Sequence, residues 1–252
     1  MGPLVAERLG AAGHKVVEKG PVDAVVDVAF AWQNSLLHDG WKWKGFARFA
    51  PAHASQLMEA ARAAQAGLVV LAGFALAAAG PFDDPDLRPP LEVESALRSG
   101  DLPLCALRLG WLYGPRMQNL RQYRAAFQWL RPYYGGPHRM QSWLHEEDAA
   151  DAVVAALEKG RPGDLYGVAD ERPASNRQVL DYFAWTLVHR PPVSFPRLGL
   201  RFSPVQQAQA LVLDRSSVVD PAPFRAATGW RPVYPTYIEG LASVAVAWSS
   251  RR

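Results

Sequence analysis

The chain is poor in several residues that would otherwise mark a function. It has one cysteine, Cys105, in 252 residues, which excludes a disulfide framework and a cysteine-built zinc site and suits a reducing compartment. Lysine is scarce, with Lys15, Lys19, Lys42, Lys44 and Lys159 set against 22 arginines. A net charge of +3 is too small to call for nucleic acid by itself. Apolar runs of membrane length are also missing. Residues 63–82 carry no charge, but they are mostly Ala and Gly and include Gln65 and Pro81, so a buried strand followed by a small-residue loop explains them better than a span. Glu7 and Arg8 break up the first segment before an apolar run forms, so no targeting sequence is expected.

What is present is an alternation of two periods. Residues 3–12, 54–66, 91–99, 147–159 and 175–188 have helical spacing. Residues 15–18, 23–30, 68–71, 102–109 and 164–168 are short apolar or β-branched runs that read as strands. Strands alternating with amphipathic helices predict a parallel sheet with helices on both faces. The last third is richer in Pro and irregular, which fits a small lobe on the carboxyl edge of the sheet. No repeat or flexible linker breaks the chain into independent units, so residues 1–252 are expected to form a single unit.

Several segments, in order, carry a family likeness. Gly2–Val17 is similar to a first helix and second strand, and Val22–Ala29 to a fourth strand. Arg108-Leu-Gly-Trp-Leu-Tyr-Gly-Pro115 has the form R-x-G-x-x-Y-G-P, and Trp143–Ala152 contains an H-x-x-D helix start. Gly163–Pro173 and Thr228–Gly240 complete the series. Together they resemble the extended short-chain dehydrogenase/reductase family, also called the NAD-dependent epimerase/dehydratase family. The resemblance implies an α/β Rossmann-like sheet, reduced at its N-terminal half, with residues 111–145 and 190–235 forming a small substrate lobe. It implies NAD or NADP as cofactor, held by Gly2, Glu18, Ala29 and Leu109. It also implies a small-molecule partner, nucleotide-linked sugars being the family's common case, a cytoplasmic setting, and a homodimer as one arrangement. Neither nucleic acid nor membrane is expected as a partner.

The chain departs from the family pattern in three places. Gly2 takes the place of the third glycine of the phosphate-binding turn, and the first strand and two earlier glycines would precede Met1. Only residues 19–22 separate the second strand from Asp23, where the family places a unit of about 30 residues. From Gln56 to Glu94 there is no Ser, Thr, Tyr or Lys, so the family's Ser/Thr and Tyr-x-x-x-Lys acid–base set has no counterpart. Asp86 and Pro90 stand where Tyr and Lys would be.

The remaining candidates follow from chemistry. Tyr113 or Asp86 would have to move the proton if the chain is active. Leu102–His145 holds six arginines and no acid, interleaved with aromatics. Guanidinium forks match phosphate or carboxylate, so Arg116, Arg121 and Arg124, with Tyr133, are candidate substrate residues, against the alternative of a solvated arginine face. His145-Glu-Glu-Asp148 reads as a helix start whose acids meet the positive dipole end, and no metal site is expected. Two functions stay open: a family oxidoreductase or epimerase, and a non-catalytic relative that binds a nucleotide, metabolite or partner protein.

Overall fold

A computed structural model describes residues 1–18, 20–29, 40–81, 83, 88–126, 135–136, 138–187, 190–191, 193, 195–202 and 210–250. Its centre is a four-stranded parallel sheet built from β1 (Ala24–Asp27), β2 (Leu68–Phe74), β3 (Leu104–Leu109) and β7 (Leu165–Val168), in the order β1-β2-β3-β7. Val69, Val70, Cys105, Ala106 and Leu107 have almost no exposure, as strands covered on both faces require. The expected α/β sheet is therefore present.

The two faces hold different clusters. On one lie α2 (Gly40–Ala63) and α3 (Arg88–Arg98), packed through Ala54, Leu57, Ala61, Val93 and Leu97 onto Val69, Leu71 and Ala106. On the other lie α1 (Gly2–Ala11) and α5 (Glu146–Lys159), where Leu4, Val5, Leu9 and Val153 meet Val70, Leu107 and Leu109. Neighbouring residues of each strand alternate between these clusters, following the pleat.

A smaller assembly sits beyond the carboxyl ends. β4 (Trp111–Tyr113) pairs with β6 (Trp143–His145) in parallel, and β5 (Met140–Gln141) pairs with β8 (Ala174–Ser175) antiparallel. Around them lie α4 (Gln118–Ala126), α6 (Asn176–Thr186) and α8 (Tyr237–Ser249), whereas α7 (Ala222–Thr228) packs through Phe224 onto Tyr166 of β7 and the α5 side of the central sheet. A capping box starts α6: Ser175 Oγ accepts the Gln178 amide, and Gln178 Oε1 accepts the Ser175 amide. Within the last third, Tyr237–Ser249 is a regular helix, because α8 buries Leu241, Val244 and Trp248 against the same cluster as α6.

Lys15–Glu18 is a correction. It is not a strand, and Val16 and Val17 are 53% and 41% exposed. Two valines give β propensity, but a strand needs a paired edge and a covering layer, and this segment has neither among the described residues.

Candidate functional site

Open parallel sheets bind ligands beyond their carboxyl ends, where loops and helix N-termini converge. At the end of β1 a carboxylate closes an otherwise apolar strand, Ala-Val-Val-Asp27. The pleat turns Asp27 toward α2, where it is 6% exposed. One of its oxygens accepts the Ala29 amide at 2.8 Å and the other accepts His53 Nε2–H at 3.0 Å. Asp27 therefore fixes the bend after β1 and joins it to α2. The His53 ring stacks on Phe49, one helical turn earlier, with centroids 4.8 Å apart. Its side chain is 21% exposed.

The start of α1 reaches the same edge. A Cβ built on Gly2 would lie 3.8 Å from Val28 Cγ2. Pro3 has no N–H and the Val5 amide is donated to the Met1 carbonyl, so in the first turn of α1 the amides left to meet an anion are those of Gly2 and Leu4. Gly2 and the half-buried Ala29 fit the phosphate end of a dinucleotide in kind, offering small side chains where a backbone could be approached closely. Two other expected cofactor residues do not join them. Glu18 is exposed on an irregular segment. Leu109 is a correction: its side chain has no exposure and packs in the core beneath α5. At the end of a fully covered strand the pleat turns it inward.

The remaining predicted residues are scattered. Tyr113 is completely buried, and its hydroxyl donates to the Thr236 carbonyl at 3.3 Å. Burial, reinforced by the Asp170, Asp148 and Glu239 carboxylates, pushes its pKa well above the usual phenol range. It anchors the start of α8 to β4, and that position does not suit an acid for a solvent-borne ligand. Arg116 lies 4.0 Å from Glu147, Arg121 reaches the Pro115 carbonyl at 3.5 Å, and Arg124 lies over the Trp248 ring at 5.5 Å. The three take different partners, although Arg121 shares the Pro115 carbonyl with Trp248 Nε1 and Arg124 lies over the same indole. Asp86 and Tyr133 lie outside the described residues.

The His145–Asp148 segment closes the top of β6. His145 Nδ1 accepts the Glu147 amide and caps α5, while Asp148 accepts the amides of Val233 and Tyr234 at 2.7 and 3.0 Å. His145 thus caps the helix, and Asp148 clamps the approach to α8. Burial, with the Arg116 charge, pushes His145 down to about 4, and burial pushes Asp148 up to about 6. Asp170, beyond β7, accepts the Arg172 amide through one oxygen, and burial pushes it up to about 8. Its other oxygen and His145 Nε2 are buried with no partner among the described residues.

Sequence reasoning missed the Asp27–His53 pair. The two residues are far apart in the chain and on different element types, so no spacing rule connects them. The available signal was a charge ending an apolar strand.

These features define a Rossmann-like α/β protein whose candidate site lies at the carboxyl edge of the sheet. No family model matches the chain. It is 35% identical over 209 residues to a 3-diazoavenalumate denitrifying reductase of a Streptomyces species, covering 74% of this chain and 68% of the relative. It is 28% identical over 123 residues to the dTDP-glucose 4,6-dehydratase of Xanthomonas campestris, covering 46% of this chain and about a third of that protein's length (32%). The human epimerase family protein SDR39U1, solved with NADPH, superposes with a TM-score of 0.76 at 19% identity, covering 97% of this chain and 95% of that one. The chain belongs to the extended short-chain dehydrogenase/reductase, or NAD-dependent epimerase/dehydratase, family.

Proposed function

We propose that this chain is a nicotinamide-dependent reductase acting on a small molecule. The likeness to a reductase over two thirds of that protein's length carries the reading. In it, the first turn of α1 with Gly2, and the bend at Ala29, take the phosphate end of NAD or NADP. When bound, the nicotinamide supplies or accepts a hydride. Residues 111–145 and 190–235 face the substrate, and a nucleotide-linked sugar is a candidate because related proteins are named for dTDP-glucose. The single buried thiol, Cys105, suits the reducing setting of the cytoplasm.

The experiment follows the absorbance of reduced nicotinamide while the protein is offered NADPH or NADH with 3-diazoavenalumate, keto-sugar nucleotides and simple aryl carbonyls. Consumption of cofactor that needs both protein and substrate supports the reading. A second reading, a non-catalytic relative, is favoured by the sealed Tyr113 and by the lack of Ser, Thr, Tyr and Lys from Gln56 to Glu94. It predicts cofactor binding without turnover of any of these compounds.

A further inference from the structure

Small-molecule sites are hollows of about 300–1,000 Å³ lined mostly by apolar side chains. The small lobe carries a cavity of about 520 Å³ whose described walls are Leu200, Ala210, Leu211, Asp214 and Arg215. Leu200 and Ala210 rest against the core cluster that α6 and α8 share. Leu211 beside them is 45% exposed, so its hydrocarbon is left for a ligand to cover.

The charged walls are already engaged with the protein. One Asp214 oxygen accepts the Gly136 amide at 2.9 Å, and the other lies 3.7 Å from Arg197. Arg215 Nη1 donates to the Pro81 carbonyl at 3.2 Å, and the Arg215 carbonyl accepts Nε2–H of the buried Gln141 at 2.8 Å. The wall is thereby fixed to β5 and to the residues that follow β2 at the carboxyl edge, where parallel sheets bind ligands. A sugar nucleotide needs partners for its diphosphate and its hydroxyls. Here the Asp214 carboxylate opposes the diphosphate charge, and Leu200, Ala210 and Leu211 offer no side-chain hydrogen bond.

We propose that this cavity binds the substrate and selects a neutral compound with a hydrocarbon body over a nucleotide-linked sugar. The proposal rests on the reductase reading and names the substrate class of that site. Leu200, Ala210 and Leu211 cover the hydrocarbon, and Gln141 is a positioning residue that holds the Arg215 end of the wall.

The test uses the whole chain with NADPH, 2-acetylnaphthalene as the apolar probe and UDP-glucose as the polar one. Leucine methyl NMR signals are followed, with Leu4, buried beneath α1 on the opposite face of the sheet, as internal reference. The expected result is that 2-acetylnaphthalene shifts Leu200 and Leu211 but not Leu4, and that UDP-glucose shifts none of them. Leu211→Asp puts a charge into the apolar wall, and its Kd for 2-acetylnaphthalene should rise about tenfold. Leu211→Met keeps the wall apolar and should hold Kd within about twofold. Unmoved Leu200 and Leu211 signals, or signals moved by UDP-glucose instead, overturn the proposal, and NADPH consumed with a keto-sugar nucleotide then spares the reductase reading. Shifted methyls without NADPH consumption by any compound offered overturn the substrate assignment together with the reductase reading. The wild-type spectra and assay decide the matter even if a variant fails to fold.

Discussion

Arg108 donates two hydrogen bonds to the Glu94 carboxylate, at 2.9 and 2.8 Å, and so fastens β3 to α3 from inside the sheet. Glu94 is nearly buried and Arg108 is about a quarter exposed. Planar forks of this kind are the stronger ion pairs, and removing one partner leaves a charge with poor solvation. Glu94→Gln should therefore cost about 1–3 kcal/mol. For a chain of this size that is a fall in Tm of roughly 2–4 °C per kcal/mol, read by a thermal melt.

Gly240 leaves room for Tyr113. A Cβ at position 240 would overlap the Tyr113 hydroxyl and ring, and Tyr113 has no free space to yield because it is fully buried. Gly240→Ala should destabilise the fold by about 2–3 kcal/mol, despite the better helix propensity of alanine. Adding Tyr113→Phe removes the closest atom and should recover part of that loss. Urea unfolding of the single and double variants reads the coupling.

Asp170 should make stability fall with pH near neutrality. Burial holds its folded pKa at about 8, whereas an unfolded aspartate lies near 3.9. Between those values the folded state holds the extra proton, so unfolding becomes easier as pH rises, and the slope ends above about 8. His145 acts oppositely, because its lowered folded pKa of about 4 makes stability rise with pH up to about 6.5. The Asp170 effect therefore stands clearest between about pH 6.5 and 8. Thermal melts across that range should show a declining Tm, and Asp170→Asn should flatten the decline and gain at least about 1 kcal/mol at pH 8. A wild-type Tm that rises over that range would contradict this account.

The fold was legible where periodicity and burial agree. Leu68–Leu71 and Leu102–Leu109 are unbroken apolar runs, and the structure makes β2 and β3 from them at the centre of the sheet. Lys15–Glu18 failed because strand formation depends on a partner, which a local pattern does not encode. The helix at Tyr237–Ser249 was hidden among prolines, although Thr236 caps it by accepting the Ile238 amide. The site was less legible still. Arg116, Arg121 and Arg124 look like one cluster in the chain, yet the fold gives each a different partner. Asp27 and His53 form a pair only after β1 and α2 have packed.

Binding of a nicotinamide nucleotide is the central claim, and calorimetric titration of the 252-residue protein with NADPH and NADH tests it directly. The account predicts saturable one-to-one binding of at least one of them with a Kd of about 1 μM to tens of μM, near −8 kcal/mol. No heat and no rise in Tm up to millimolar ligand, from a protein that melts cooperatively, would contradict it.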